Sequence, residues 1–162
     1  DVNQPLILVT EPGREEETVT RLSRVGFDNV LGYLEGGFLA WKESGHETDT
    51  VHRITASEFA AKVDLQHDKV VDVRREGEYS AEHVDNAYSM PLAYINNWIK
   101  DINPAEHFYM HCASGFRSII AASILLSRGF RNFTEIEGGF KAIKENSVPC
   151  TDYVCQSKVF SK

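Results

Sequence analysis

The chain has no long apolar run. Nothing in it approaches the roughly 18 consecutive apolar residues of a membrane-spanning helix, and its first stretch, DVNQPLILVT, has neither the basic start nor the apolar segment of a secretion signal. Cysteine is scarce: Cys112, Cys150 and Cys155 are odd in number and lack the paired, close spacing of a zinc site or a disulfide framework. The expectation is therefore no metal, no cofactor, no staple and a reducing, cytoplasmic setting. Basic charge is also short. The net charge is −7, with ten acids against four bases in residues 1–50 and fourteen against thirteen in residues 51–162. The acidic front argues against nucleic acid as a partner, because nothing there would neutralise a phosphate backbone. The missing apolar span argues against a membrane. An initiating methionine is absent too, so Asp1 is expected to be an internal residue of a longer parent.

What is present is an ordinary globular mixture, 162 residues of which 42% are apolar and 25% charged. That length suffices for one core and is short for two complete domains. It also contains a repeat, the first thing to seek because a missed repeat miscalls a fold. LSRVGFDNVLGYLEGGFLAW (22–41) resembles LSRGFRNFTEIEGGFKAI (126–143), with Gly26-Phe27 matching Gly129-Phe130 at an offset of 103 and EGGF matching at 102. Each copy reads as a helix end, a short strand and a Gly-Gly turn into another helix. Carried backwards, the offset of 103 sets Val9 opposite Cys112 and Arg14 opposite Arg117. The first copy would then keep the scaffold without the thiol, and residues 1–50 read as the back half of a truncated, inactive unit.

Residues 51–148 read as a complete alternating unit. VHRI is a short strand, and Thr55 with Glu58 three residues on forms a capping box for a helix to about Val63. KVVDV (69–73) is a continuous apolar run, as for a strand buried on both faces of a parallel sheet. RREGEYSAEHVDN reads as a polar loop, AYSM as a strand and PLAYINNWIKD as a helix with Pro91 in its first turn. HFYMH, the helix Ser114–Arg128 and NFTEI with its GGF turn complete the set. The fold class is α/β, a five-stranded parallel sheet with helices on both faces. Residues 149–162 show no period and read as a peripheral tail.

Chemistry is expected where a strand gives way to a helix, since the first backbone N–H groups of the helix are unpaired there. HCASGFRS (111–118) is such a junction. Gly115 lets the loop fold tightly, successive amides can converge, and a thiol at their centre would ionise more readily, from about 8.5 to as low as ~3.5–7.5 in such settings. A buried core thiol is the plainer reading of a cysteine at a strand end. Arg117 tips the balance, because a base at a helix N-terminus is mildly unfavourable unless an anion sits there. Asp72 and Arg74, at the same sheet edge, read as a turn-capping pair or a support for the site. His111 precedes the thiol but alternates to the other sheet face and reads as structural. Glu82 and His83 read as solvated.

At this point the residues match a family. DVRREGEY (72–79), EHVDNAYSMP (82–91), CASGFRS (112–118), SRGF (127–130) and EIEGGFKAI (135–143) resemble, in order and spacing, the motifs of the rhodanese domain, a sulfurtransferase fold. The resemblance covers about residues 51–148. It implies that Cys112 attacks the outer sulfur of thiosulfate or a glutathione persulfide, and that cyanide or a thiol then collects it. It further implies that the loop Ala113, Ser114, Gly115, Phe116, Arg117 and Ser118 binds the donor and the anionic persulfide, with Arg117 on the donor's negative group. The family's GHIPGA stretch is here EHVDNA, and Ile143 stands where tryptophan is usual. Phosphatases and arsenate reductases of related build place five residues between cysteine and arginine, whereas this chain has four, the smaller ring that suits a single sulfur. The other readings are a non-catalytic regulatory or interaction module and, against the loop count, a Cys-dependent phosphatase or arsenate reductase. Two rhodanese-like units of which only the second keeps its cysteine resemble the tail of fusions with a metallo-β-lactamase-fold persulfide dioxygenase, so such a domain is an expected neighbour in the parent. Nothing in this chain would bind its iron. Cys150 and Cys155 read as incidental thiols or, alternatively, resolving ones.

Overall fold

The computed structural model describes residues 1–155; residues 156–162 of the expected tail lie outside the described residues. Two compact units are present, Asp1–Asp49 and a second beginning at Thr50. The first consists of β1 (Leu6–Leu8), α1 (Glu15–Ser23), β2 (Val30–Tyr33) and α2 (Gly37–Glu43), with β1 and β2 parallel. Ile7, Val9, Leu31 and Tyr33 are exposed, so much of its apolar strand surface is uncovered.

The repeat is real, but its register differs from the expected one. Leu8 pairs with Tyr33 as Met110 pairs with Glu135, and Tyr33 and Glu135 each stand two residues before the Glu-Gly-Gly turn. Thr10, not Val9, therefore occupies the place of Cys112. The glycines agree: a Cβ on Gly37 would lie 2.4 Å from the Thr10 carbonyl oxygen, and one on Gly139 2.4 Å from that of Cys112. In this register Gly13 matches Gly115 and Glu15, not Arg14, stands at Arg117. The offset of 103 fails because Thr10 to Gly26 spans 16 positions where Cys112 to Gly129 spans 17, so the stretch carrying α1 is one residue shorter; the register shift in β2, a bulge at Leu31, restores 102 by the Glu-Gly-Gly turn. An offset measured at one end of a helix does not hold at the other when the two copies of that helix segment differ in length. The first copy thus has neither thiol nor arginine at these positions, and the Glu15 carboxylate accepts from the Gly13 amide, 3.1 Å.

The second unit contains β3 (Arg53–Ile54), α3 (Ala56–Lys62), β4 (Lys69–Asp72), α4 (Glu76–Ala81), β5 (Tyr88–Ser89), α5 (Ile95–Trp98), β6 (Phe108–His111), α6 (Phe116–Ser127), β7 (Phe133–Ile136) and α7 (Gly139–Glu145). Its five strands are all parallel in the order β3-β7-β6-β4-β5. Alternation along the strands builds two cores. Val71, Met110, Cys112 and Phe133 pack with Trp98, Ala121 and Leu125 from α5 and α6. Val70 and Ile136 pack on the other face with Phe59, Phe140 and Ile143 from α3 and α7. The capping box opens α3: the Glu58 amide donates to the Thr55 hydroxyl, 3.1 Å, and the Thr55 amide to the Glu58 carboxylate, 2.8 Å.

Three local expectations need correction. The stretch read as a polar loop contains α4, whose first turn is fixed by the Arg75 amide on the Glu78 carboxylate, 3.2 Å. PLAYINNWIKD is not one helix but a 3-10 turn, the single α-turn α5 and another 3-10 turn, with the Trp98 indole donating back to the Pro91 carbonyl at 2.9 Å. Asn96 and Asn97, poor helix formers at its centre, favour such a break. The described part of the tail is docked: the Asp85 amide donates to Pro149, the Thr151 amide to His83, and Val84 bridges Cys150 antiparallel. In the same region Asn86 takes a left-handed backbone (φ 59°) where the family pattern has glycine, which asparagine tolerates better than most residues.

Candidate active site

β6 delivers Cys112 to the carboxyl edge of the sheet, and α6 begins four residues later. Between them the loop turns its carbonyls one way and its amides the other. The first amides of α7 take the carbonyls: Phe140 donates to Cys112, 2.7 Å, and Lys141 to Ala113, 3.2 Å. Gly139 must be glycine for α7 to come so close, because a Cβ there would also stand 2.7 Å from the Ala113 carbonyl carbon and the Ser114 nitrogen. The amides are left to face the thiol. Gly115, with φ +99° at the N-cap of α6, donates to Cys112 Sγ at 3.2 Å, and the Ser118 hydroxyl lies 3.4 Å from the same sulfur. Cys112 is 1% exposed. Burial works against its charged form, but hydrogen bonds from the Ser118 hydroxyl and from the Ser118, Ser114 and Gly115 amides outweigh it, and the thiol is held below its ordinary value.

The structure places the expected loop residues as follows. Ala113 and Ser114 form the floor against α7, Gly115 and Ser118 reach the sulfur, and Phe116 projects outward at 84% exposure. Arg117 does not stand open. Glu78 of α4 grips its guanidinium in a two-point pair, Nη1 to Oε2 at 2.6 Å and Nη2 to Oε1 at 2.8 Å. The Arg117 bond holds the Glu78 carboxyl below its usual range in spite of partial burial, and Glu78 in turn raises Arg117.

Asp72 and Arg74 are a buried pair beside this site. The Arg74 Nε donates to both Asp72 oxygens at 3.0 and 2.8 Å, and its Nη2 reaches the Glu82 carbonyl at 2.7 Å. Its guanidinium also lies over the Phe140 ring, 4.0 Å from the centroid. The pair thereby ties the end of β4 to the end of α4, the helix that brings Glu78 to Arg117. His111 is fully buried on the face opposite Cys112, stacked at 6.0 Å on Phe140, with burial pushing its ring below the usual histidine value and its Nδ1 3.1 Å from the Cys112 carbonyl. Glu82 and His83 are not merely solvated: Glu82 pairs with Lys144 at 2.7 Å, and His83 stacks on Tyr79 at 3.8 Å. Cys150 is half-buried and burial pushes its thiol up, which makes it a poor resolving thiol; Cys155 is exposed. Among the described residues no cluster of three or more His, Cys, Asp or Glu is arranged to hold a metal ion, and no helix is long and apolar enough to cross a membrane.

Sequence reasoning missed Glu78, Glu135, Arg53 and Gly139. Glu135 lies in β7, 0% exposed; its Oε1 is 2.6 Å from the Ser118 hydroxyl and its Oε2 accepts from Arg53 Nε at 2.8 Å. A visible signal existed for it: an acid in the middle of FTEI, a strand buried at every position. Glu78 was hidden by reading α4 as loop.

Comparison with known proteins bears on this arrangement. The family described as the rhodanese-like domain matches residues 55–146. Thiosulfate sulfurtransferase GlpE of Coxiella burnetii is 26% identical over 94 residues, covering 58% of this chain and 85% of that protein. Rhodanese-like domain-containing protein 15, chloroplastic, of Arabidopsis thaliana is 33% identical over 93 residues, covering 50% and 51%. The chain spans about half the length of several such curated relatives. A crystal structure of thiosulfate sulfurtransferase from Pseudomonas aeruginosa matches 94% of this chain and 33% of that one at 20% identity with a TM-score of 0.55, a likeness of fold.

Proposed function

The chain belongs to the rhodanese-like domain family, and from that premise we propose that it is a sulfurtransferase in which Cys112 carries sulfane sulfur as a persulfide. The observation that carries this reading is the convergence of the Gly115 amide and the Ser118 hydroxyl on Cys112 Sγ at 3.2 and 3.4 Å. Such a cradle stabilises an anion on sulfur before and after transfer. The thiolate attacks the outer sulfur of thiosulfate or a glutathione persulfide. The new S–S bond forms as the donor's S–S bond breaks, and sulfite or glutathione thiolate leaves with the electron pair. A thiol or cyanide then attacks the outer sulfur, and Cys112 leaves as thiolate. The four-residue spacing to Arg117 supports sulfur over a tetrahedral oxyanion, and an ionised free thiol suits a reducing compartment such as the cytoplasm.

Intact mass after exposure to each donor tests the reading. The expected result is one added sulfur on the wild type and none on Cys112→Ser; an unchanged wild-type mass with both thiosulfate and glutathione persulfide would overturn it. A second reading, a non-catalytic interaction module, draws on the Glu78 carboxylate that already occupies Arg117. The same assay separates the two, because an incidental thiol would not load.

A further inference from the structure

The Ser118 hydroxyl has one hydrogen and three acceptors within reach: Glu135 Oε1 at 2.6 Å, the Gly115 carbonyl at 3.1 Å and Cys112 Sγ at 3.4 Å. It can serve one of them well at a time. The shortest contact is to a carboxylate buried in the strand beside β6, a charge-assisted distance. Arg53 stands opposite Glu135 in the next strand, neutralises its other oxygen and reaches Glu137 at 3.3 Å. A wholly buried carboxylate is costly unless paired, and this one is paired on one side and aimed through a hydroxyl at the reactive sulfur on the other.

We propose that Glu135 is a positioning residue that tunes Cys112 through Ser118: it draws the hydroxyl hydrogen away from the sulfur and so keeps the thiolate basic and reactive. The proposal rests on the sulfurtransferase reading for its purpose but not for its test. In the thiolate the negative charge on Sγ competes with Glu135 for the Ser118 hydrogen, and the shorter contact is the one to Glu135. Once the outer sulfur is attached, the charge moves outward, the inner sulfur stops competing for the hydrogen, and Glu135 holds it alone. Glu135 therefore favours the loaded form over the resting thiolate. Less hydrogen bonding to a thiolate means higher nucleophilicity, since attack weakens as the thiol becomes more acidic.

Other charged and titratable groups also surround this chain of contacts. Arg117 attracts the thiolate and is held by Glu78. Asp72 is paired with Arg74, and His111 is buried on the opposite face, where burial lowers its pKa. Glu137 shares Arg53.

The test is the pH dependence of Cys112 alkylation by iodoacetamide, read together with thiolate ultraviolet absorbance, in protein with Cys150 and Cys155 replaced by serine; no sulfur donor is involved. Glu135→Gln lets an amide donate to Ser118, freeing the hydroxyl for sulfur, and is expected to make Cys112 about tenfold more acidic, one pKa unit. In a Ser118→Ala background the same change should have little effect, and Ser118→Thr, which keeps the hydroxyl, should restore it. Glu135→Asp keeps the charge and the Arg53 partner but draws the carboxylate back from Ser118, and should shift Cys112 the same way as Glu135→Gln. An equal Glu135→Gln shift with and without the hydroxyl would mean a through-space charge effect and overturn the proposal, as would no shift. If Glu135→Gln does not fold, Glu135→Asp decides alone: a shift toward lower pKa that Ser118→Ala abolishes supports the relay, and any other result overturns it. Failure to load sulfur with this coupling intact would refute the sulfurtransferase reading alone.

Discussion

Replacing Gly139 with alanine should loosen the loop that holds Cys112, and the cost can be worked from the geometry. Gly139 has φ +59°, a left-handed backbone that costs a residue with a Cβ about 1–2 kcal/mol. The added carbon would also stand 2.4 Å from the Cys112 carbonyl oxygen and 2.7 Å from two atoms of Ala113 and Ser114, all backbone. Relief of such overlap adds roughly 1–3 kcal/mol. The expected loss is about 2–5 kcal/mol, a large share of the ~5–15 kcal/mol that holds a domain together. Gly129→Ala is the control: its φ is +84° and nothing lies within 4 Å of the new carbon, so only the conformational part, about 1–2 kcal/mol, applies. Urea unfolding followed by Trp98 fluorescence in a Trp41→Phe background reads the second unit alone, because Trp98 is buried there and Trp41 belongs to the first. Displacing Ala113 and Ser114 would also spoil the convergence of amides, so alkylation of Cys112 should need higher pH. If Gly139→Ala is no less stable than Gly129→Ala, the claim that α7 braces the loop through this contact is refuted.

Sulfur loading should follow the thiolate. Its rate is expected to rise with pH and level off below the ordinary thiol value of about 8.5, because the Cys112 pKa is lowered, and Ser118→Ala should move the midpoint upward in stopped-flow profiles. Glu78→Gln removes the carboxylate from Arg117, so the KM for thiosulfate should fall by about 3- to 10-fold with a smaller change in kcat. Glu78 also contributes to stability: its folded pKa is lowered, so that contribution is present above the unfolded value and lost as pH falls through the folded one. Acid titration of the Gln variant should lack this component. Cys150→Ser should leave loading and turnover unchanged, since that thiol is half-buried, shifted upward and engaged with the Val148 carbonyl at 3.3 Å.

Much of the fold and of the sulfur cradle was legible because it is written in local pattern. The apolar run of β4, the Thr55 capping box and the glycine-bearing loop after β6 each depend on neighbours a few residues apart, and each is found where the pattern places it. The Cys-to-Arg spacing of four is likewise a property of the chain. The partners of those residues depend on strand order, which spacing does not report. Glu135 meets Ser118 and Arg53 only because β7 lies between β3 and β6. Glu78 meets Arg117 across 39 positions because the Asp72–Arg74 pair ties α4 to the end of β4. The register of the repeat failed for the same kind of reason, since only strand pairing shows that the stretch carrying α1 is one residue shorter than its counterpart carrying α6. The sequence alone determined that a thiol stands in a glycine-bearing loop between a strand and a helix; tertiary structure decided which carboxylates compete for the hydroxyl and the guanidinium around it. Loops and helix starts are fixed by the backbone of adjacent residues, whereas the environment of a buried charge is fixed by whatever the sheet brings alongside.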